Sequence, residues 1–227
     1  MPFNSTLCLN PNTAKGCGDV IFYVSYCTII IFHQVYMPEN IYLLRGNHES
    51  KYCTSVYGFE KEVLVKYGDK GKHAYRKCLG CFEGLPLASI IAGRVYTCHG
   101  GLFRSITVTP AKRLKGKKNH KINVNTDSKN ISLGSLEELS KARRSVLDPP
   151  WEGPNMIPGD VLWSDPSKTP GLSPNKERGI GLMWGPDKTE EFLKKYQFKV
   201  IRKLLLISLG HSLIFLVDCI QVIKLNL

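Results

Sequence analysis

Short apolar runs and helical periodicity between residues 37 and 105 predict a compact α/β unit. The apolar run Ile41 to Leu44 has the length of a short strand. Apolar residues recur at helical spacing from Tyr57 to Lys66, and Lys72 to Glu83 is predicted to form a second helix with a basic outer face. We therefore expect one strand followed by two helices in this part of the chain.

Two β-rich runs follow the second helix, Leu87 to Ile91 and Arg94 to Cys98. They flank Ala92-Gly93, a pair typical of the turn between antiparallel strands. The sequence therefore predicts a β-hairpin, whose second strand leads directly into His99.

Further along, three segments have recognisable boundaries. Ser135 and Glu138 have the spacing of a capping box at the start of a short helix. The apolar run Asp160 to Trp163 predicts a strand, and Thr189 to Tyr196 predicts a helix capped by Asp187 or by Thr189 itself.

Changes in composition divide the chain into a divergent N-terminal segment (1–36), an α/β segment (37–202) with an insert (106–159), and a divergent apolar tail (203–227). The charge-free run Val20 to Met37 contains polar side chains, so we interpret it as a buried strand or as sequence foreign to the fold. Polar residues also interrupt the tail. No membrane span is predicted in either segment.

The chain is strongly basic, with a formal net charge of +12 at pH 7. Such a charge favours polyanionic partners: phosphoproteins, nucleic acid or acidic membrane surfaces. Six basic residues lie between Lys112 and Lys121 without aromatic residues or base-reading motifs among them. We expect this part of the insert to be a solvated loop and not a nucleic-acid site.

Eight cysteines do not form a recognisable metal motif or disulfide framework. Cys78 and Cys81 form a lone C-x-x-C pair without the second pair that a structural zinc site needs, so we expect two reduced cysteines on a helix. The N-terminus lacks the basic region of a secretory signal peptide. We therefore expect an intracellular protein of the cytoplasm or nucleus.

Candidate functional residues follow two of the predicted strands. Asn47 and His48 lie between a strand and a helix, where α/β proteins commonly expose functional groups. His99 follows the hairpin and precedes Gly100-Gly101, which would allow close approach of backbone or ligand. Asn offers an oxygen to a hard cation, and His offers a ring nitrogen as a ligand or as a proton donor.

The segment Leu44–Glu49, with the sequence Leu-Arg-Gly-Asn-His-Glu, resembles the signature of the phosphoprotein phosphatase family of calcineurin-like metallophosphoesterases. Further matching segments follow in the family's order: Tyr57–Phe59, Cys81–Leu87, Val95–Leu102, Leu162–Pro166 and Arg178-Gly179. The resemblance covers roughly residues 36–202 and is strongest to plant members of the family. It implies an α/β fold, an incomplete metallophosphoesterase β-sandwich flanked by helices.

The resemblance implies a metal-dependent serine/threonine protein phosphatase. In the family, two divalent metal ions (Mn, Fe or Zn) activate a bridging water that attacks phosphoserine or phosphothreonine. By position, Asn47 and His99 match metal ligands, His48 matches the general acid, and Arg178 matches a phosphate-binding arginine.

The expected partners are phosphoserine and phosphothreonine proteins. Residues 136–147 are basic and mildly amphipathic, which is weakly typical of a calmodulin target. The plant relatives likewise imply regulation by calcium and calmodulin.

Two aspartate motifs that supply metal ligands in the family, Gly-Asp-x-His-Gly and Gly-Asp-x-Val-Asp-Arg-Gly, do not occur in this sequence. Gly18-Asp19 has the wrong continuation, and His211 lies several residues beyond the position of the family's last metal ligand. We therefore expect weak or no hydrolysis. The alternative function is a non-catalytic pseudophosphatase, a module that binds phosphoproteins through Arg178.

Overall fold

A computed structural model describes residues 31–106, 131–145, 148 and 151–203, together with the backbone of 206–209, 212–215 and 221–224. Lys112 to Lys121, Gly18-Asp19 and His211 lie outside the described residues, and so do residues 20–30 of the charge-free run. Residues 31–36 of that run are helical and largely exposed, so the prediction of a buried strand is wrong there.

The N-terminal half is mainly helical. Its elements are α1 (residues 31–36), β1 (Ile41–Leu43), α2 (Lys51–Val56), α3 (Phe59–Tyr67) and α4 (Gly71–Gly84). The Ser50 hydroxyl accepts a hydrogen bond from the backbone N–H of Cys53 at 3.1 Å and so caps α2. The helices α3 and α4 pack around a small cluster of Phe59, Val63, Tyr75 and Phe82, which confirms the two predicted helices.

The predicted hairpin is confirmed as β2 (Ala88–Ile91) paired antiparallel with β3 (Val95–Cys98). Ala92 and Gly93 both have positive φ, 50° and 63°, as a tight primed-type turn requires. On its other side, β3 pairs in parallel with β7 (Val200–Lys203), and β7 pairs with β10 (Gln221–Lys224). The sheet order is β10-β7-β3-β2, so β2 is an outer strand.

Two three-stranded sheets complete the described strands. One has the order β1-β9-β8, with β8 at Leu206–Leu209 and β9 at Ser212–Phe215. The other has the order β4-β6-β5, with β4 at Asp165–Pro166, β5 at Leu172–Pro174 and β6 at Leu182–Trp184. The segment predicted as an apolar tail thus contributes three strands, two of which pair with β1 and β7.

Asp160 to Trp163 is not a strand, because it forms the end of helix α6 (Met156–Trp163). Periodicity does not distinguish a strand from a buried helix when the apolar run is only four residues long. The helix follows a 3-10 turn at Gly153–Asn155, and Pro158 is tolerated because it lies in the first helical turn. Nearly all of α6 is buried, so an apolar sequence on all sides suits it.

The remaining helices agree with prediction in type and differ in one cap. Helix α5 (Leu136–Ser140) begins with the predicted capping box of Ser135 and Glu138. Helix α7 (Pro186–Tyr196) begins earlier than predicted, at N-cap Gly185, because Pro186 is preorganised for the first helical position. Asp187 does not cap the helix, since its carboxylate accepts the backbone N–H of Gly171 at 2.7 Å.

The main hydrophobic core lies between β3, β7, α6 and α7. Leu133, Leu136 and Leu139 from the predicted insert pack against this core, so the described C-terminal part of the insert belongs to the same packed unit. Cys78 and Cys81 are free thiols on α4, as predicted. Within the described residues, no helix is both long and apolar enough to span a membrane.

Candidate functional site

The loop after β1 is closed by a buried arginine. The guanidinium of Arg45 donates to the backbone carbonyl of Glu49 from Nε at 2.9 Å and from Nη2 at 2.6 Å, and its Nη1 donates to the carbonyl of Arg144 at 2.6 Å. Burial lowers the pKa of Arg45 to about 10, partly offset by Glu49, so the group remains charged at neutral pH. These bonds fix the shape of the loop that carries Asn47 and His48.

The same loop meets the loop that follows β3. A β-carbon added at Gly46 would lie 3.4 Å from Nδ1 of His99 and 2.5 Å from Oε2 of Glu49. Gly46 therefore permits the close approach of the two loops. Asn47 and His99 are both buried at this junction, so the structure places the two predicted metal ligands on adjoining loops.

His99 is held by backbone contacts of the two glycines that follow it. Gly100 and Gly101 donate their N–H groups to the carbonyl of Val161 in α6 at 2.7 and 3.1 Å. A β-carbon at Gly100 would lie 2.6 Å from that carbonyl oxygen, and one at Gly101 would overlap the indole ring of Trp184. The two glycines therefore allow helix α6 to support the His99 loop directly.

The imidazole of His48 is half-buried and lies near two aromatic rings. Its ring centroid is 4.9 Å from that of Tyr57 and 6.3 Å from that of Trp163. These contacts give the imidazole a defined orientation while leaving part of it accessible, as a proton donor to a bound ligand requires.

Arg178 lies in a different loop and is anchored by Asp165. Its guanidinium forms an ion pair with Asp165, and its backbone N–H donates to Oδ1 of Asn175 at 3.2 Å. Asp165 also accepts from Nζ of Lys203 at 2.5 Å. Burial would raise the pKa of Asp165, but the hydrogen bonds from Arg178 and Lys203 outweigh it and hold that pKa below its usual range.

Residues 163–165 contact both His48 and Arg178. Trp163 lies beside His48, and Asp165 forms an ion pair with Arg178. The sequence placed Asp165 in the matching segment Leu162–Pro166 but gave no role to Lys203, the first residue of the apolar tail. It also missed Arg45 as the residue that closes the loop. The motif containing Arg45 was visible in the sequence, whereas no sequence signal pointed to Lys203.

A divalent metal centre needs several ligand side chains that converge on one point. Among the residues that the structure describes, no three His, Cys, Asp or Glu side chains form a group able to hold a metal ion. Asn47 and His99 together supply only an amide oxygen and an imidazole nitrogen. Since hard divalent ions need carboxylates to offset dehydration, this part of the chain does not by itself fit a two-metal centre.

The family model for calcineurin-like phosphoesterases matches residues 17–214 of this chain. The chain belongs to this family. The match extends beyond residues 36–202 on both sides, into segments predicted to be divergent.

Several relatives of this calcineurin-like phosphoesterase are protein phosphatases. The chain is 70% identical over 174 residues to serine/threonine-protein phosphatase 7 of Arabidopsis thaliana, a match covering 76% of this chain and 42% of that protein. It is 36% identical over 157 residues to serine/threonine-protein phosphatase 5 of the same plant, covering 69% of this chain and 23% of that protein. The chain therefore spans less than half the length of these relatives.

The fold of this calcineurin-like phosphoesterase also agrees with a solved structure. A serine/threonine phosphatase from Saccharomyces cerevisiae, described as similar to human phosphatase PP5, matches with a TM-score of 0.55 and 25% identity. The match covers 85% of this chain and 52% of that one. The predicted metallophosphoesterase fold of mixed helices and sheets is confirmed. The roles of Asn47, His48, His99 and Arg178 stay predictions.

Proposed function

We propose that this chain is a serine/threonine protein phosphatase domain whose ligand is a phosphoserine or phosphothreonine side chain. The observation that carries the proposal is that residues 163–165 contact both His48 and Arg178, where the loops bearing Asn47 and His99 adjoin. The relatives support it, because their names describe serine/threonine phosphatases.

The chain's own residues divide the work of binding and proton transfer. The Arg178 side chain is 45% exposed although it is paired with Asp165, so its remaining N–H groups are available to phosphate oxygens. His48, oriented by Tyr57 and Trp163, is the donor that we propose for the proton taken up by the leaving seryl oxygen. The described residues do not complete a site for the two divalent ions of the family (Mn, Fe or Zn). No step is therefore assigned to these ions, and the metal content of the chain is measured instead.

The proposed substrates are phosphoproteins inside the cell, in the cytoplasm or nucleus. The free thiols of Cys53, Cys78, Cys81 and Cys98 support a reducing compartment. Calmodulin remains a candidate regulator. Leu136 and Leu139 already pack against the main core, so a calmodulin complex with residues 136–147 would require α5 to leave its place.

The test is hydrolysis and binding of a phosphothreonine peptide, measured with added manganese and again in chelator. Because the described residues do not complete a two-metal centre, we expect at most weak manganese-dependent phosphate release, and what release there is should be lost in His48→Asn. Arg178→Ala should weaken peptide binding, whereas Lys176→Ala, an exposed neighbour in the same turn, should leave it unchanged. Across preparations of the purified chain, a higher metal content should accompany a higher rate of phosphate release.

Two outcomes would contradict the proposal. Phosphopeptide binding in chelator without phosphate release under any condition would identify a non-catalytic binding module. Phosphate release that persists in both His48→Asn and Arg178→Ala would show that the chemistry occurs elsewhere.

A further inference from the structure

A groove lies between strand β2 and the segment that begins with helix α5. Its volume is about 410 Å³, within the range of about 300–1,000 Å³ typical of ligand sites. One wall is formed by residues 86–90, the opposite wall includes Leu136, Leu139 and Ala142, and Tyr96 also lines the groove. The candidate site residues Asn47, His48, His99 and Arg178 do not line it.

The β2 wall is an outer edge of the four-stranded sheet. β2 pairs only with β3 among the described strands, so its other edge has no partner strand there. Such an edge presents backbone N–H and C=O groups that an added strand can pair with. Ile90, which lines the groove, is 47% exposed despite its apolar side chain. The edge therefore offers both backbone pairing and apolar contact.

The opposite wall carries excess positive charge. Arg144 lines the groove, and Arg143 is exposed beside it. The Arg144 guanidinium donates to the carbonyl of Gly84 at 2.9 Å, which holds it in place. The acids of the same segment are already engaged: Glu137 pairs with Lys141, and Glu138 belongs to the capping box.

We propose that this groove docks an extended acidic segment of a partner protein. The segment adds to the edge of β2 that has no partner among the described strands, places an apolar side chain in the groove and brings a carboxylate to Arg144. The positive charge of this wall selects an acidic segment over a neutral or basic one, because a charge-assisted hydrogen bond to a fixed guanidinium is stronger than a neutral one. The groove requires neither a metal nor hydrolysis, so docking here can occur whether or not the proposed function is correct.

The probe is a fluorescein-labelled heptapeptide of alternating valine and threonine ending in two aspartates, without phosphate. Its matched partner ends in two lysines. Fluorescence anisotropy with the full chain should show saturable binding of the aspartate peptide and at least about tenfold weaker binding of the lysine peptide.

Two arginine variants separate docking from general charge attraction. Arg144→Glu and Arg143→Glu change the net charge equally, but only Arg144 lines the groove. We expect Arg144→Glu to weaken binding of the aspartate peptide about tenfold or more, and Arg143→Glu to change it by less than about threefold. Arg144→Gln should give an intermediate loss while keeping a donor for Gly84.

Ala142→Trp tests the groove itself, because the added indole would fill it without removing a charge. Binding of the aspartate peptide should be lost while the far-UV circular dichroism and the melting temperature stay near those of the parent chain. If this variant unfolds, Ile90→Thr, at the half-exposed edge, serves in its place and should weaken binding.

Four results would overturn the proposal. Equal losses in Arg143→Glu and Arg144→Glu would reveal unspecific attraction to a basic protein. Equal binding of the lysine peptide would show that the arginine wall does not select an acidic segment. Displacement of the aspartate peptide by a short single-stranded oligonucleotide with the same salt dependence would again reveal unspecific charge attraction. No saturable binding up to millimolar peptide would show that the edge does not accept a strand.

Discussion

Removing one member of the buried Arg104–Asp160 ion pair should strongly destabilise this domain. The carboxylate of Asp160 accepts the backbone N–H of Arg104 at 3.0 Å, its Nε at 2.7 Å and its Nη2 at 2.9 Å. Both side chains are buried. In Asp160→Leu these three donors lose their acceptor, and the guanidinium stays buried without an opposite charge.

The magnitude follows from the burial of the pair. Removing one partner of a buried ion pair costs about 3–5 kcal/mol, which corresponds to a fall in melting temperature of roughly 6–20 °C for a domain of this size. By contrast, the Glu190–Lys194 pair is largely exposed, and Glu190→Ala should change the free energy of unfolding by about 0.5 kcal/mol or less.

Urea unfolding followed by the fluorescence of the three tryptophans, of which Trp184 is fully buried, measures both variants. The double variant Arg104→Met with Asp160→Leu removes both charges and should recover most of the loss. If Asp160→Leu unfolds within about 1 kcal/mol of the parent chain, the pair is not the buried anchor described above. If the double variant loses as much unfolding free energy as Asp160→Leu and Arg104→Met lose when added together, the electrostatic explanation is refuted.

Three further changes test other contacts of the fold. Gly101→Ala forces a β-carbon into the ring of Trp184 and should cost about 1–3 kcal/mol, whereas Gly80→Ala in the exposed middle of α4 should stabilise by about 0.5–1 kcal/mol; thermal melts compare the two. Ser135→Ala removes the α5 capping box and should cost about 0.5–2 kcal/mol in urea unfolding. Because the pKa of Asp165 is lowered in the folded state, its stabilising effect is present above its unfolded pKa of about 3.9 and is lost as the pH falls through the folded value. The difference in unfolding free energy between parent and Asp165→Asn should therefore shrink between pH 6 and pH 3, and a constant difference would contradict this reasoning.

The local sequence predicted the structure correctly wherever its pattern is compatible with only one conformation. The turn at Ala92-Gly93 and the capping box at Ser135 are decided by residues next to each other in the chain, and both were predicted correctly. The run from Asp160 to Trp163 was not, because a run of four mostly apolar residues fits a strand and a buried helix equally well, and the contacts that bury this run come from residues far away in the sequence, such as Arg104. Short apolar runs carry too little periodicity to replace that tertiary information.

The candidate site was likewise predictable from local sequence only in part. The motifs identified the loops that carry Asn47, His48 and His99, and the structure places these loops side by side. The link between Arg178 and Lys203 through Asp165 was invisible in the sequence, since it joins three separate segments. Pairings of this kind depend on topology, which a single sequence without an alignment does not specify.

The parallel pairing of β3 with β7 bears on how the domain forms during synthesis. Val95 lies opposite Val200, so strand β3, which leads into His99, gains this neighbour only after about a hundred further residues have left the ribosome. The α3–α4 helical hairpin needs only contacts close in sequence and can form much earlier. A nascent chain arrested before β7 would therefore expose one side of β3, and that interval is when we expect chaperone binding or aggregation to compete with folding.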